Sequence, residues 1–573
     1  MSKKHSINFV ILVTRTVIEQ KTLPLFRVNE TQMMDQSNHI LVLDPKDNVG
    51  VALFDLQKGD TVTYNKTEIE IQETIPAKHK FALSALPKGA PMIMYGQCVG
   101  ELKFDMAPGA RLYPETVTNK TENYSLTDTE YAWQAPKPSQ TLPKTFLGYH
   151  RSDGQVGTRN VWLVFPLVFC ENKTIETVKN AMEDALGISN HAHFSDYARS
   201  LWDRKPMPTA RESHLLSTSK LTQVELRFIT HHTGCGGTRS DAQMFCRLMA
   251  GYLNNPNVAG ATVLSLGCQN AQVSLLNEAL KTTNPNFDKP LLVFEHQQSG
   301  DSTAYIKSII EGTLKQLRLL DSMERQPAPL SKLSIGLECG GSDGFSGISA
   351  NPMLGMAMDK LVGFDGKAIL AEFPELAGTE ASIIKRCVNP EDAKRFVTLM
   401  QAYEFRAEAV GSGFKDNPSP GNIREGLITD AMKSAGAVRK GGTSPVNAVL
   451  DYGEYAHSIG LSLLCTPGND VESTTALAGS GANLVVFTTG LGTPTGNPVS
   501  PVIKVSSNTD MAQRMAQIID FNAGTIISGE DNLDSASDRL LELIVAVASG
   551  KTLTKAELRG QHDFIPWKRD ISL

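Results

Sequence analysis

KLSIGLECGGSDGFSGISANP (332–352) passes from an apolar, strand-like run into glycine, cysteine and small polar residues. The same grammar recurs where VELRFIT (224–230) meets HHTGCGGTRSD (231–241), where GATVLSLG (260–267) meets CQN, where HSIGLSLLC (457–465) meets TPGND, and where NLVVFTTG (483–490) meets LGTPTGNP. Short continuous apolar runs read as strands buried on both faces, and alternation with helix-period segments specifies a parallel sheet. TIETVKNAMEDAL (174–186), DAQMFCRLMAGYL (241–253) and AQVSLLNEALK (271–281) supply those helical segments between NVWLVFPLVF (160–169) and PLLVFE (290–295). The pattern restarts at 332 and continues through KAILAEF (367–373) to VIKVSSN (502–508). The reading is α/β, in two successive units. In such sheets ligands lie at the carboxyl ends of strands, where glycine lets backbone approach closely. A tight turn would explain any one of these loops; five together predict a shared site.

Upstream the pattern changes. HILVL, NVGVALFDL, TVTY, IEIQETI, KFALSAL and PMIMYGQCVGEL, within residues 39–102, are short β runs separated by DPKDN, QKGD and LPKGAP. They predict a small all-β domain over 38–113. Residues 114–145 are polar, carry three prolines near their end and have no sustained apolar period, so they read as a linker that buries little.

With 573 residues the chain has room for about three domains at roughly 100–200 residues each. Hydrophobic residues at 41%, charged residues at 20% and a net charge of -6 match a globular enzyme and speak against disorder or a polybasic nucleic-acid binder. Lys3 and Lys4 precede the apolar run Ile7 to Val13, but Arg15 ends it with no cleavage-site pattern, so neither export nor membrane insertion is expected and a cytoplasmic location is. Cys98, Cys170, Cys235, Cys246, Cys268, Cys339, Cys387 and Cys465 form no CxxC pair, which fits free thiols in a reducing compartment. The stretch from about 188 to 219 has no clean period and reads as a surface excursion.

Gly490, Gly492 and Gly496 follow a strand as in a dinucleotide fingerprint, but Pro494, Pro498 and Pro501 stand where that fingerprint needs a helix. Phosphate-loop and zincin motifs are missing from the sequence. Cys235, Cys268 and Cys339 stand at loop starts after strands, with His231 and His232 just before the first, a ligand set suited to iron but at no standard metal spacing. Buried, inert thiols are the alternative for any one of them. Glu338, Asp343, Glu372, Glu375 and Asp470 at similar strand ends are open to metal ligation, proton transfer or helix capping. In IPAKHKFAL (75–83), Lys78, His79 and Lys80 fit either a solvated strand start or a histidine whose pKa its lysine neighbours lower.

GYHRSDGQVGTRN (148–160), HHTGC, SLGCQNAQ, GLECGGSDGFSGISANPMLG (336–355), NPSPGN (417–422), TPGND and FTTGLGTPTGNPVSPVIK (487–504) together resemble, in order, the altronate and galactarate dehydratase family from about residue 38 onward. DNVGVALFDLQKGD with HKFALSALPKG resembles that family's β-clip, or SAF, module. The resemblance implies an SAF domain (38–113), a middle α/β domain (146–325) and a C-terminal domain (326–573) with a Rossmann-like parallel sheet. It also implies Fe2+, replaceable by Mn2+ or another divalent cation, a small sugar-acid substrate, and a homodimer or higher homo-oligomer. Roles carried over on matching motifs are acid/base work for His79 and Lys80, substrate carboxylate binding for Arg151, Arg159 and Asn160, and metal ligation for His231, Cys235, Cys268 and Cys339. Glu338 and Asp343 complete the catalytic candidates, and Asn422, Asn469 and Thr489 the substrate-binding ones. The chain departs from the family in about 37 extra N-terminal residues, in 188–219, and at Leu491, where many members carry arginine.

The chemistry so implied is loss of water from a 2,3-dihydroxy acid: a base removes the C2 proton, an enediolate is stabilised, and the C3 hydroxyl leaves protonated. Leu491 favours the monoacid D-altronate, giving 2-keto-3-deoxy-D-gluconate; galactarate dehydration, sulfite elimination from a related hydroxy acid, and non-catalytic sugar-acid binding are the alternatives.

Overall fold

The computed structural model describes residues 39–126, 131–188, 192–204 and 219–572. The apolar run at Ile7 to Val13 and most of the 205–219 stretch therefore lie outside the described residues.

The N-terminal module is all-β. Val49–Ala52 pairs antiparallel with Ile40–Leu41 and Lys80–Ala82, Thr61–Tyr64 with Thr67–Glu70, and Gln97–Leu102 with Pro91–Met94 and Val117–Thr118. Of its two core clusters, one closes within the module around Ile69, Ile71 and Phe81, and the other does not. Val49, Val51, Met92, Met94 and Val99 pack in one cluster with Phe345, Ile348, Ile428 and Met432 of the C-terminal domain.

The 114–145 stretch buries more than its polarity suggests. Val117–Thr118 adds a strand to the module, and Tyr131 Oη and Trp133 Nε1 donate to the Thr443 carbonyl and hydroxyl at 2.7 and 3.0 Å. Aromatic rings with a polar tip can dock where a purely polar linker could not.

The middle domain holds a four-stranded parallel sheet in the order Glu225–Phe228, Val161–Pro166, Val258–Ser265, Leu291–Glu295. The period-two alternation of its central strand assigns two cores. Trp162 and Val164 meet Ile175, Val178 and Ile309 of the outer helices. Val161, Leu163 and Phe165 share a cluster with Leu248 and Tyr252, and with Val485 and Phe487 of the next domain. Thr145–His150 pairs with Gln326–Pro329, which ties the two ends of the middle domain together. Within 188–219, Ala192–Asp203 is a helix with exposed Tyr197, Leu201 and Trp202, so part of this excursion is regular.

The C-terminal domain is a seven-stranded parallel sheet, as the restarted alternation predicts. Its order is Val446–Leu450, Gly460–Leu464, Lys367–Leu370, Ser334–Cys339, Leu484–Thr489, Val502–Ser506, Phe521–Asn522. Ile335, Leu337, Val486 and Ile503 cover one face together with Met353, Leu354, Leu540 and Ile544 from helices Ala350–Val362 and Leu533–Ala548. Among the described residues no helix is long and apolar enough to cross a membrane.

Candidate active site

From Ser334–Cys339 the chain builds outward to Lys367–Leu370 on one side and later to Leu484–Thr489 on the other. That reversal opens a crevice at the carboxyl end of the Ser334–Cys339 strand, the place where open α/β sheets bind ligands. The GGSDG loop fills its floor. The backbone N–H groups of Gly490 and Leu491 donate to the Gly341 carbonyl at 3.0 and 2.9 Å. A Cβ at Gly490 would sit 2.3 Å from Asp343 Cγ, so only glycine lets the two loops meet.

Behind that floor lies a buried charge cluster. Cys339 Sγ donates to Glu375 Oε2 at 2.7 Å, and Lys440 Nζ lies 2.7 Å from both Cys339 Sγ and Glu372 Oε2. Lys433 pairs with Glu375 at 2.7 Å, and the Ser473 hydroxyl donates to Glu338 Oε2 at 2.5 Å. Burial, reinforced by Glu372, holds the Glu338 carboxyl well above the usual range. Burial and the neighbouring carboxylates Glu372 and Glu375 push the Cys339 thiol up. Against its own burial, Glu375 is held low by Lys433 and Lys440. Glu372 sits at φ 68, a left-handed conformation costly for a non-glycine residue and tolerated where the surroundings enforce it.

The donor set fits a borderline divalent cation. The ligand atoms of Cys339, Glu372 and Glu375 lie within 4.8 Å of one another, and Glu338 Oε1 and Glu372 Oε1 are buried without a hydrogen-bond partner. In the structure described here the Lys440 ammonium supplies the positive charge between Cys339 and Glu372.

On the other side of the GGSDG loop, the Lys78–Lys80 turn of the β module enters the C-terminal domain. Lys78 Nζ pairs with Asp343 at 3.1 Å and Glu425 at 2.5 Å, from a backbone at φ 75. Lys80 Nζ donates to the Lys78 and Gly426 carbonyls, each at 2.8 Å, and is fully buried. A Cβ on Gly344 would stand 2.5 Å from the Lys78 carbonyl oxygen and 2.9 Å from Lys80 Nζ, so this loop must also be glycine. Burial, with Lys78 adding to it and Asp343 opposing, pushes Lys80 down to about 7. His79 is lowered to about 4, by burial first and Arg111 second; the Lys80 effect that the sequence suggests is smaller than either.

The His79 ring is fully engaged. Its Nδ1 faces the Arg111 guanidinium at 3.0 Å and so accepts, leaving Nε2–H to donate to the Arg424 carbonyl at 3.0 Å. Asp343 is saturated too, accepting from the Phe345 and Ser346 backbones, the Ser346 and Ser507 hydroxyls, the Asn508 amide and Lys78. It anchors the crevice rather than offering a free carboxylate.

Several candidates from the sequence are placed elsewhere. Arg159 is buried in a bidentate pair with Glu557, and donates to the Thr158 and Val547 carbonyls. Arg151 spends its donors on the Pro256 and Arg159 carbonyls and on Asn160 Oδ1, while Asn160 donates to the Leu320 carbonyl. These contacts turn most of the three side chains' donors to bracing the middle domain. Arg159→Ala should therefore cost about 3–5 kcal/mol in a denaturation experiment, by stranding Glu557, with the KM of the surviving fold unchanged; a raised KM at wild-type stability would restore the binding role.

Of the residues proposed for metal, His231 donates to the Pro166 carbonyl at 2.8 Å and accepts from the Thr233 backbone at 3.2 Å, so neither nitrogen is available. Cys235 and Cys268 are exposed on the middle domain, whereas Cys339 is buried with Glu372 and Glu375. Asn422 braces the crevice floor by donating to the Ser342 carbonyl, and Asn469 caps helix Asp470–Gly479. The Thr489 hydroxyl accepts from Gly492 N–H at 2.8 Å beside the GGSDG loop.

Lys433 and Lys440 escape the sequence reading. The only signal is charge inside AMKSAGAVRKGG (431–442), a stretch of small and apolar residues otherwise fit for a buried helix.

Three sequence-family models match consecutive parts of the chain. They are the altronate/galactarate dehydratase SAF domain over 38–119, the D-galactarate dehydratase/altronate hydrolase second domain over 148–319, and the D-galactarate/altronate dehydratase C-terminal domain over 330–572. Altronate dehydratase of Escherichia coli (strain K12) is 33% identical over 509 residues, 88% of this chain and 94% of that protein. Altronate dehydratase of Bacillus subtilis (strain 168) is 32% identical over 513 residues, again 88% and 94%. Galactarate dehydratase (L-threo-forming) of E. coli is 30% identical over 499 residues, 86% of this chain and 90% of that protein.

Proposed function

This chain belongs to the altronate/galactarate dehydratase family of hydro-lyases, and on that premise we propose that it dehydrates D-altronate to 2-keto-3-deoxy-D-gluconate. The observation that carries the choice of a monoacid is Leu491. Its backbone is bonded to Gly341, and a Cβ on Gly341 would lie 3.2 Å from Leu491 Cβ, so an apolar, half-buried side chain stands at the crevice where a guanidinium would hold a second carboxylate.

Glu338, Cys339, Glu372 and Glu375 would hold a divalent ion, ferrous iron best matching their mixed oxygen and sulfur donors. When bound, it supplies Lewis acidity toward the substrate's carboxylate and hydroxyl oxygens. The chain's own groups divide the proton work. Lys78, kept protonated against its burial by Asp343 and Glu425, presents positive charge at the seam between the module and the crevice. Lys80, with two N–H bonds to carbonyls and a pKa near that of the medium, keeps its remaining valence as the base. His79 holds the turn in place through Arg111 and Arg424.

The test is an anaerobic assay for keto-deoxy acid with ferrous iron and thiol, on D-altronate and on galactarate. Turnover of altronate is expected, with Leu491→Arg lowering its kcat/KM about tenfold and raising that for galactarate, a shift of roughly 1.4 kcal/mol each way. Galactarate turnover by the unaltered chain would overturn the monoacid reading, and no product from either acid would overturn both.

A further inference from the structure

All three of the chain's exposed cysteines, Cys170, Cys235 and Cys268, lie at one edge of one sheet; the remaining five are buried or half-buried. They follow the strands Val161–Pro166, Glu225–Phe228 and Val258–Ser265, which are adjacent and parallel, so all three loops leave from the same end. The loops are interlocked. Phe169 N–H donates to the Thr233 carbonyl at 3.1 Å, Ala271 N–H to Gly234 at 3.2 Å, and the Asn270 side chain to Gly237 at 3.2 Å. Gly234 adopts φ +95, and a Cβ there would lie 2.0 Å from the Leu167 carbonyl oxygen, so the Cys235 loop is pressed onto the Cys170 loop.

An exposed free thiol is a liability to oxidation, and three on adjacent strand ends need a reason beyond chance. Thiolates select zinc, copper(I) and iron–sulfur clusters. Here the Cys268 sulfur already accepts an amide hydrogen from Gln297 Nε2 at 3.3 Å, the kind of bond that tunes cluster-ligating sulfurs. Spacing separates the options. The three sulfurs are not gathered within 4.8 Å of one another, as the Cys339, Glu372 and Glu375 ligand atoms are. A single tetrahedral ion with bonds of about 2.3 Å would hold its sulfurs roughly 3.8 Å apart. A cluster spreads its thiolates further.

We propose that Cys170, Cys235 and Cys268 hold a [4Fe–4S] cluster, separate from the Cys339 site, with one iron lacking a protein thiolate. This does not depend on which sugar acid is the substrate.

The test is iron and acid-labile sulfide analysis, with electron paramagnetic resonance after reduction, on the full chain purified without oxygen. Expected are iron and labile sulfide in comparable amounts, a more than tenfold loss of sulfide in the triple variant Cys170→Ser, Cys235→Ser, Cys268→Ser, and retention in Cys339→Ser and Cys98→Ser. Should the triple variant fold poorly, alkylation of the unaltered chain gives the same answer: the three thiols are protected as purified and react once a chelator strips the iron. Iron without sulfide, sulfide retained in the triple variant, or thiols that alkylate equally with and without chelator would overturn the proposal.

Discussion

Lys440→Met is expected to lower stability by about 3–5 kcal/mol at pH 7 in metal-free buffer, the cost of removing one partner from a buried ionic network. Lys440 is 1% exposed and lies 2.7 Å from Cys339 Sγ, 2.7 Å from Glu372 and 3.7 Å from Glu375. Methionine roughly fills the same volume, so the loss is electrostatic rather than a cavity. Lys433 still pairs with Glu375, but Glu372 loses its ion-pair partner. The measurement is the urea midpoint of the C-terminal domain's transition, with and without added ferrous or manganous ion. The ion should raise the variant's midpoint more than that of the unaltered chain, because the variant lacks the ammonium that competes with the ion for the Cys339 thiol and the Glu372 carboxylate. A midpoint unchanged by the substitution would mean that Lys440 does not hold the cluster together.

Lys80→Met is expected to act in the opposite way on stability and still abolish turnover. As the base it is worth roughly 10²- to 10⁴-fold in kcat. Yet its folded pKa of about 7 lies below the 10.5 of an ordinary lysine, so the unfolded chain binds the extra proton more tightly. Stability therefore rises as pH climbs from about 7 toward 10.5, and is lowest below 7, where folding must keep the buried ammonium charged. Methionine removes that burden. The variant should be at least as stable as the unaltered chain at pH 7 and lose the rise above it, while kcat/KM in the unaltered chain climbs through about pH 7 as the free amine appears. An inactive variant that is also destabilised would assign Lys80 a structural role instead.

The parallel sheets were legible because unbroken apolar runs such as VWLVFP admit few other readings, and because helix-period segments separate them. The strand-end loop LECGGSDG was legible as a meeting place because its glycines make sense only against a neighbouring backbone. Arg159 misleads for a physical reason: a guanidinium suits a substrate carboxylate and Glu557 equally, and Glu557 is 398 residues away in sequence. The same distance problem hides Lys440, whose partners Cys339 and Glu372 are 101 and 68 residues upstream. His231 reads as a ligand beside Cys235, but the fold turns its ring back onto the Pro166 carbonyl. Local pattern states which loops meet; it does not state which side chains are already spoken for when they do.

The insertion of the Lys78–Lys80 turn between Gly344 and Gly426 makes basicity a property of assembly. Lys80 is a weak proton holder only while the seam excludes water from it; a β module swung away from the crevice would carry an ordinary ammonium. On the role proposed above for Lys80, the same contact that buries it also makes it a base, so proton transfer is tied to the docking of the module.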